Sequence, residues 1–178
     1  MSFIVSMGSK AEPLVRIFKG ETLKLCEKGN KIMHLVKNFF SQLSPAQVYH
    51  ILQARSDIFV MEQNCVYRDI DGLDFECIHI FFEDENSGKV LAYLRAFRKD
   101  SDTAQIGRVL SAEHGKGLGG KILSVGVETV KELFKPKSII IEAQCYAIGY
   151  YAREGFKVCS EEFMEDDIPH VYMKLNIE

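Results

Sequence analysis

The sequence predicts an α/β chain: a mostly antiparallel sheet flanked by helices, in one domain. Three features point there. Residues 77–83, 90–98 and 104–110 are apolar runs of strand length joined by polar turns, the economical arrangement being an antiparallel meander. Directly after the third run comes His114-Gly115-Lys116-Gly117-Leu118-Gly119-Gly120, with four glycines in seven residues, followed by an amphipathic helical pattern. Further on, the apolar stretch 138–143 reads as a central strand, and a second helical pattern follows it at 146–154.

Taken in order, residues 1–30 carry little periodic signal. Leu14-Val15-Arg16-Ile17-Phe18 fits a short strand or a short helix, Gly29-Asn30 closes the segment as a turn, and the whole reads as an extension to a domain spanning 31–178. Residues 31–39 alternate as a first strand. Ser44-Pro45 is an N-cap with proline at the first helical position, so 46–55 is a helix, with Val48, Ile51, Leu52 and Arg55 at helical spacing. Residues 57–63 continue as a short helix or irregular turn, and Asp69-x-Asp71-Gly72-x-Asp74 is a carboxylate-rich turn. The helix after the glycine run ends before Pro136, the one at 146–154 ends at Gly155, and strands at 156–160 and 170–175 enclose the acidic loop 161–167.

Size and composition narrow the function. At 178 residues the chain can bury a full core, and 47% hydrophobic with 26% charged residues is ordinary soluble composition. A net charge of −3 leaves no electrostatic footprint for nucleic acid or an anionic membrane. Cys26, Cys65, Cys77, Cys145 and Cys159 are widely spaced, with no Cys-x-x-Cys pair, which indicates neither a zinc site nor a disulfide framework. The first eight residues lack a basic region and a long apolar core, so no signal peptide is expected and the cytoplasm is the default location.

The glycine run is where chemistry enters. A strand, a glycine turn and a helix N-terminus in sequence make an anion site: backbone N–H groups converge and the helix dipole adds positive charge. Lys116 and Lys121 reinforce the sign. The P-loop order Gly-x-x-x-x-Gly-Lys-Ser/Thr does not occur, and Gly115-x-Gly117-x-Gly119 has the wrong spacing for a dinucleotide fingerprint. His114-x-x-Gly117-x-Gly119 instead resembles the acetyl-CoA pyrophosphate loop, Gln/Arg-x-x-Gly-x-Gly/Ala, of the GCN5-related N-acetyltransferases (GNAT), with His114 in the Gln/Arg slot. A second signature of that family, Asn-x-x-Ala-x-x-Phe-Tyr-x-x-x-Gly-Phe, resembles Gln144-x-x-Ala147-x-x-Tyr150-Tyr151-x-x-x-Gly155-Phe156. The stretch from Arg55 to Gln63, the Asp69–Asp74 run, Gly107-Arg108-Val109 and Ile168-Pro169-His170 look like the ElaA-like branch.

The resemblance covers residues 31–176 and implies the GNAT acyl-CoA N-acyltransferase fold, a mixed sheet splayed between its fourth and fifth strands, those ending at Leu110 and Ala143. It implies acetyl-CoA as co-substrate, no metal, and a primary amine of a small molecule as acceptor. Pantetheine would hydrogen-bond along Val109, Leu110 and Ser111, with Gln144 beyond the gap. The pyrophosphate would meet His114 and the amides of Gly115, Lys116, Gly117, Leu118, Gly119, Gly120 and Lys121. A backbone N–H near Val109 would face the thioester carbonyl. Tyr151 matches the family's proton donor to the CoA sulfur. Glu142, Glu62 and His79 are the candidates for the base. On the acceptor side stand Arg108, Asp74 and His170; Arg108 either binds an acidic group of the acceptor or pairs with an aspartate. The first alternative points to an amino-sugar phosphate. A protein or peptide amine, and a non-catalytic acyl-CoA-binding module, are the other readings. A homodimer through a sheet edge is an expectation at family level only.

Overall fold

The structure is a computed structural model and describes residues 21–26, 32–63, 67–113 and 115–177. The readings at 14–18, 29–30 and His114 lie outside the described residues. Among the described residues nine strands form one sheet: β1 (Glu21–Cys26), β2 (Ile32–Phe39), β3 (Ile78–Asp84), β4 (Val90–Arg98), β5 (Thr103–Ser111), β6 (Ser138–Gln144), β7 (Lys157–Val158), β8 (Phe163–Glu165) and β9 (Ile168–Asn176). Their order is β1-β2-β3-β4-β5-β6-β9-β7, with β8 also on β9. All pairs are antiparallel except β5–β6, which is parallel. Two strands go beyond the sequence reading. β1 lies in the segment read as an extension and pairs with β2 from Glu21↔Lys37 to Cys26↔Ile32. β8 lies inside the stretch read as an acidic loop and forms a hairpin with β9.

Alternation along the strands splits the side chains between two cores. Met33, Leu35, Ile78, Ile80, Phe82, Leu94, Ala96, Ile139, Ile141 and Met173 face helix α2 (Leu118–Phe134), as do Tyr151 of the short helix α3 (Ile148–Ala152) and Phe156 after it. Val36, Phe81, Tyr93 and Leu110 face helix α1 (Pro45–Arg55), whose last turn widens into a π-helical segment, Ser56–Glu62. Helix α1 starts where the sequence says: Ser44 Oγ accepts from the Gln47 amide at 3.2 Å, Gln47 Oε1 accepts from the Ser44 amide at 3.1 Å, and Pro45 opens the first turn. Helix α2 ends on Lys135 in left-handed conformation (φ 46°) just before Pro136. Midway along α2, Gly126 allows close approach to the sheet: a side chain there would overlap the fully buried Leu94.

Candidate active site

Strands β5 and β6 run together for only three residue pairs, Thr103↔Ser138, Ala104↔Ile139 and Gln105↔Ile140, and then part. The cause sits in β5. Arg95 of β4 faces Gly107 and Tyr93 faces Leu110, so Leu94 faces both Arg108 and Val109, a β-bulge with Arg108 at φ 55°. An extra residue bends a strand and reverses which face each later side chain meets. Accordingly Ile106 lies in the α2-side core, whereas Leu110 lies in the α1-side core and Val109 packs on the α2 side. The wedge between the parted strands is a cleft of about 850 Å³. Val109, Leu110 and Ser111 line it from β5, Glu142 and Gln144 from β6, Gly119 from α2, Tyr150 and Tyr151 from α3, and His170 from β9. From residue 106 onward β5 has no ladder partner on its β6 side among the described residues, so its backbone edge is presented to the wedge.

The glycine loop bears on the same wedge. Gly115 and Gly117 adopt left-handed φ values of 74° and 73°, and Gly117 is the N-cap of α2 with no side chain capping it. The first bond described from this turn is Lys121 N–H to Gly117 C=O, at 3.2 Å, and the amides of Leu118, Gly119 and Gly120, helix-end donors, have no partner among the described residues. A Cβ placed at Gly115, Gly117 or Gly120 would meet nothing within 4 Å, so the space beside the loop is open. Leu118 is fully buried and anchors the turn in the core. Of the two lysines, Lys116 pairs with Glu113 at 3.0 Å and Lys121 is exposed on the first turn of α2. An unpaired strand edge ending at a row of free amides fits an extended arm that terminates in a phosphate group.

Tyr151 is 9% exposed. Burial, and secondarily Tyr150 and Tyr146, push its phenol well above the ordinary range, so it stays protonated. Its ring meets Tyr150 edge-on at 5.0 Å. The sequence assigned Tyr150 no role; its hydroxyl donates to the Gly119 carbonyl at 2.6 Å, tying α3 to the first turn of α2, and burial followed by the Glu154 charge pushes it up to about 12. The tandem Tyr150-Tyr151 was the available signal, but direction along a short helix was not legible. Glu142 is half-buried, accepts from Gln105 Nε2 at 3.3 Å and bonds with Tyr172. His170 Nδ1 lies 2.8 Å from the Ile168 carbonyl.

Three expected site residues stand elsewhere. His79, 1% exposed, has Nδ1 2.8 Å from the Tyr93 hydroxyl and Nε2 3.0 Å from the Asp74 carbonyl. Burial lowers its pKa despite the raising effect of that carbonyl, so the neutral ring donates from Nε2 and accepts at Nδ1. With both nitrogens engaged in the α1-side interior, it is no base for the wedge. Asp74 is likewise buried, accepting from Arg55 Nη1 at 2.7 Å and Arg95 Nη1 at 2.8 Å. Glu62 is exposed at the end of the π-helical segment; its neighbour Gln63, and not Glu62, lines the cleft.

Arg108 settles into the second of its two expected roles. Its Nε donates to Asp69 at 2.7 Å, its Nη2 reaches Asp71 at 3.2 Å, and its guanidinium lies 5.0 Å from the Tyr67 ring centroid. It belongs to a cage in which Arg55 holds Asp69 and Asp74, Arg95 holds Asp71 and Asp74, and Arg108 holds Asp69 and Asp71. Burial pushes Asp71 up, but the Arg95 hydrogen bond, the Leu73 amide and the charges of Arg95 and Arg108 outweigh it and hold the carboxyl at about 2. The sequence reading gave Arg95 no role; the signal was there, since a charged residue flanked by apolar ones within the run 90–98 must find partners when buried.

Comparison with known proteins bears directly on this arrangement. The family model for the acetyltransferase (GNAT) domain matches residues 76–177, from just before β3 to the end of the described chain. Protein ElaA of Escherichia coli is 35% identical over 137 residues, covering 75% of this chain and 90% of that protein. A UPF0039 protein of Schizosaccharomyces pombe is 36% identical over 148 residues, covering 82% of this chain and 98% of that one. The crystal structure of E. coli ElaA superposes with a TM-score of 0.73 at 32% identity, covering 80% of this chain and 98% of that one; an acyl-CoA N-acyltransferase from Pseudomonas aeruginosa gives the same figures. With its strands parted at the bulge and a glycine turn leading into α2, the chain belongs to the GNAT acetyltransferase family, in its ElaA-like branch.

Proposed function

We propose that the chain transfers an acetyl group from acetyl-CoA to a primary amine of a small molecule, by direct attack with both reactants bound, and that its catalytic domain spans residues 31–178 with β1 added as an edge strand. The observation that carries this reading is the wedge itself: a β5 edge without a described partner, the start of α2 reaching the cleft at Gly119, and a protonated tyrosine all meet there. Acetyl-CoA supplies an activated acyl thioester. The chain supplies the rest. Backbone groups of Val109 and Ser111 continue the sheet onto the pantetheine arm, and the amides of residues 115–120 hold the pyrophosphate. The bulge leaves one amide of Arg108–Val109 outside the β4 ladder, and Val109 N–H stabilises the carbonyl oxygen as it gains charge. The amine must be neutral when it attacks; Glu142 takes the proton of the bound ammonium, directly or through water. A C–N bond forms, the C–S bond breaks, and Tyr151 delivers a proton to the departing sulfur.

Replacing Tyr151 tests the assignment. Tyr151→Phe is expected to cut thiol release about a hundredfold, the low end for general acid–base catalysis, without weakening acetyl-CoA binding. Because burial keeps Tyr151 protonated, the wild-type pH–rate profile should show no descending limb at the ordinary tyrosine value of about 10. A variant as fast as wild type would remove Tyr151 from the chemistry.

A further inference from the structure

We infer that the acceptor is an α,ω-diamine or polyamine whose two ends are read by Glu142 and by the Glu165–Asp166 pair; this rests on the acetyltransfer reading above. Strand register sets the arrangement. Ile168, His170 and Tyr172 lie two residues apart on β9 and share a face, while Val171 and Met173 face the α2-side core. Directly across, Glu142 opposes Tyr172, Phe163 opposes His170, and Glu165 opposes Ile168. Residues paired in this way stand on the same face. One carboxylate therefore stands at each end of a strip whose middle is aromatic: Phe163 stacks on His170 at 6.1 Å and on Tyr172 at 5.0 Å. Four steps of about 3.3 Å along β9 separate the two ends by about 13 Å. An aliphatic chain with a cationic nitrogen at each end matches that pattern.

Charge balance points the same way. Of the cleft's arginines, Arg95 and Arg108 are held by the aspartate cage, and only the exposed Arg68 makes no ion pair among the described residues. Glu142, Glu165 and Asp166 line the same cleft and make no ion pair among the described residues either. An anionic acceptor such as an amino-sugar phosphate would meet three carboxylates that form no ion pair among the described residues, against the Arg68 guanidinium and the Lys99 ammonium beside Tyr172. The Tyr172 ring can face a cation, as its distance of 5.9 Å to Lys99 Nζ shows. His170, nine-tenths buried, fixes the middle of the strip against the cleft.

The test compares the α,ω-diamine of octane with octylamine, using thiol release from acetyl-CoA, in the wild type and in the Glu165→Gln/Asp166→Asn double variant. Asp166 lies at φ 49° in the β8–β9 turn, a conformation asparagine adopts readily, so the hairpin is kept. In the wild type, kcat/KM for the diamine is expected to exceed that for octylamine by about fivefold or more, the scale of a partly exposed ion pair. In the double variant the ratio should fall toward unity. Equal values for the two amines in the wild type, or faster turnover of glucosamine phosphate than of the diamine, would overturn the proposal. Calorimetric titration of the CoA-bound protein with the diamine separates this from failure of the acetyltransfer reading. If no amine turns over, diamine binding that is lost in the double variant still supports the strip, and no binding by the wild type overturns it.

Discussion

Arg108 is held in a left-handed conformation in the middle of a strand, which for a residue with a Cβ costs roughly 1–2 kcal/mol. Asp69, Asp71 and the Tyr67 ring hold it there, and the bulge that results presents the Val109 amide to the wedge. The side chain therefore acts through the backbone. Arg108→Ala is expected to lower kcat ten- to a hundredfold through misplacement of that amide by a fraction of an ångström. Arg108→Gly, which tolerates φ 55° without a clamp, should retain more activity than the alanine variant. Equal loss in both would mean that the guanidinium charge, and not the backbone, is what matters. Asp71 gives a matching pH signature. Its folded pKa of about 2 lies below the ordinary 3.8, so the folded chain binds fewer protons than the unfolded one below pH 4. The stabilisation is complete above pH 4 and is lost as pH falls through 2. In an acid titration followed by circular dichroism, Asp71→Asn should remove that part of the pH dependence.

At the scale of elements, the sequence spelled out what local chemistry determines. Ser44-Pro45 placed the start of α1, Pro136 placed the end of α2, and the span of β4 was legible to the residue because polar turns bound it on both sides. Elements held by distant partners were not legible. Among the described residues β1 pairs only with β2, and its sequence has no alternation that demands a strand. β8 is three residues long, and its turn uses Asp166-Asp167 at φ 49° and 63° where an Asn-Gly signal would have marked a hairpin. The bulge is invisible in one dimension, since nothing in Gly107-Arg108-Val109 fixes which residue of β4 faces two of β5. The seat of α2 on the sheet depends on Gly126. Gly126→Val should lower stability in urea unfolding by about 1–3 kcal/mol through overpacking against Leu94; a stability equal to wild type would mean that α2 shifts freely on β4.

For the molecule as a whole, the sheet divides labour between its faces. The α2 side is an apolar core, and the α1 side is a smaller core closed by three arginines and three aspartates that tie α1, the segment 67–76, β4 and β5 together. Arg55 is wholly buried in that cage, so Arg55→Met, which leaves carboxylates short of a partner, should destabilise by about 3–5 kcal/mol in urea unfolding. Two sequence motifs were enough to indicate the cleft, because each is read along the chain. They were not enough to sort charged residues between site and scaffold: Asp74, a candidate for the acceptor side, and His79, a candidate base, are both buried on the α1 side, Asp74 by its bonds to Arg55 and Arg95 and His79 by its place on β3 opposite Arg95. No helix among the described residues is long and apolar enough to cross a membrane. The wedge and glycine turn are the centre of the functional reading, and calorimetric titration with acetyl-CoA of the wild type and of Gly117→Asp tests them most directly. The space beside Gly117 is open, and aspartate is among the residues that tolerate its left-handed φ of 73° at some strain, so the carboxylate would stand against the pyrophosphate. Micromolar binding by the wild type, weakened about tenfold or more in the variant, is the expected result; equal binding by both, or none by either, would contradict it.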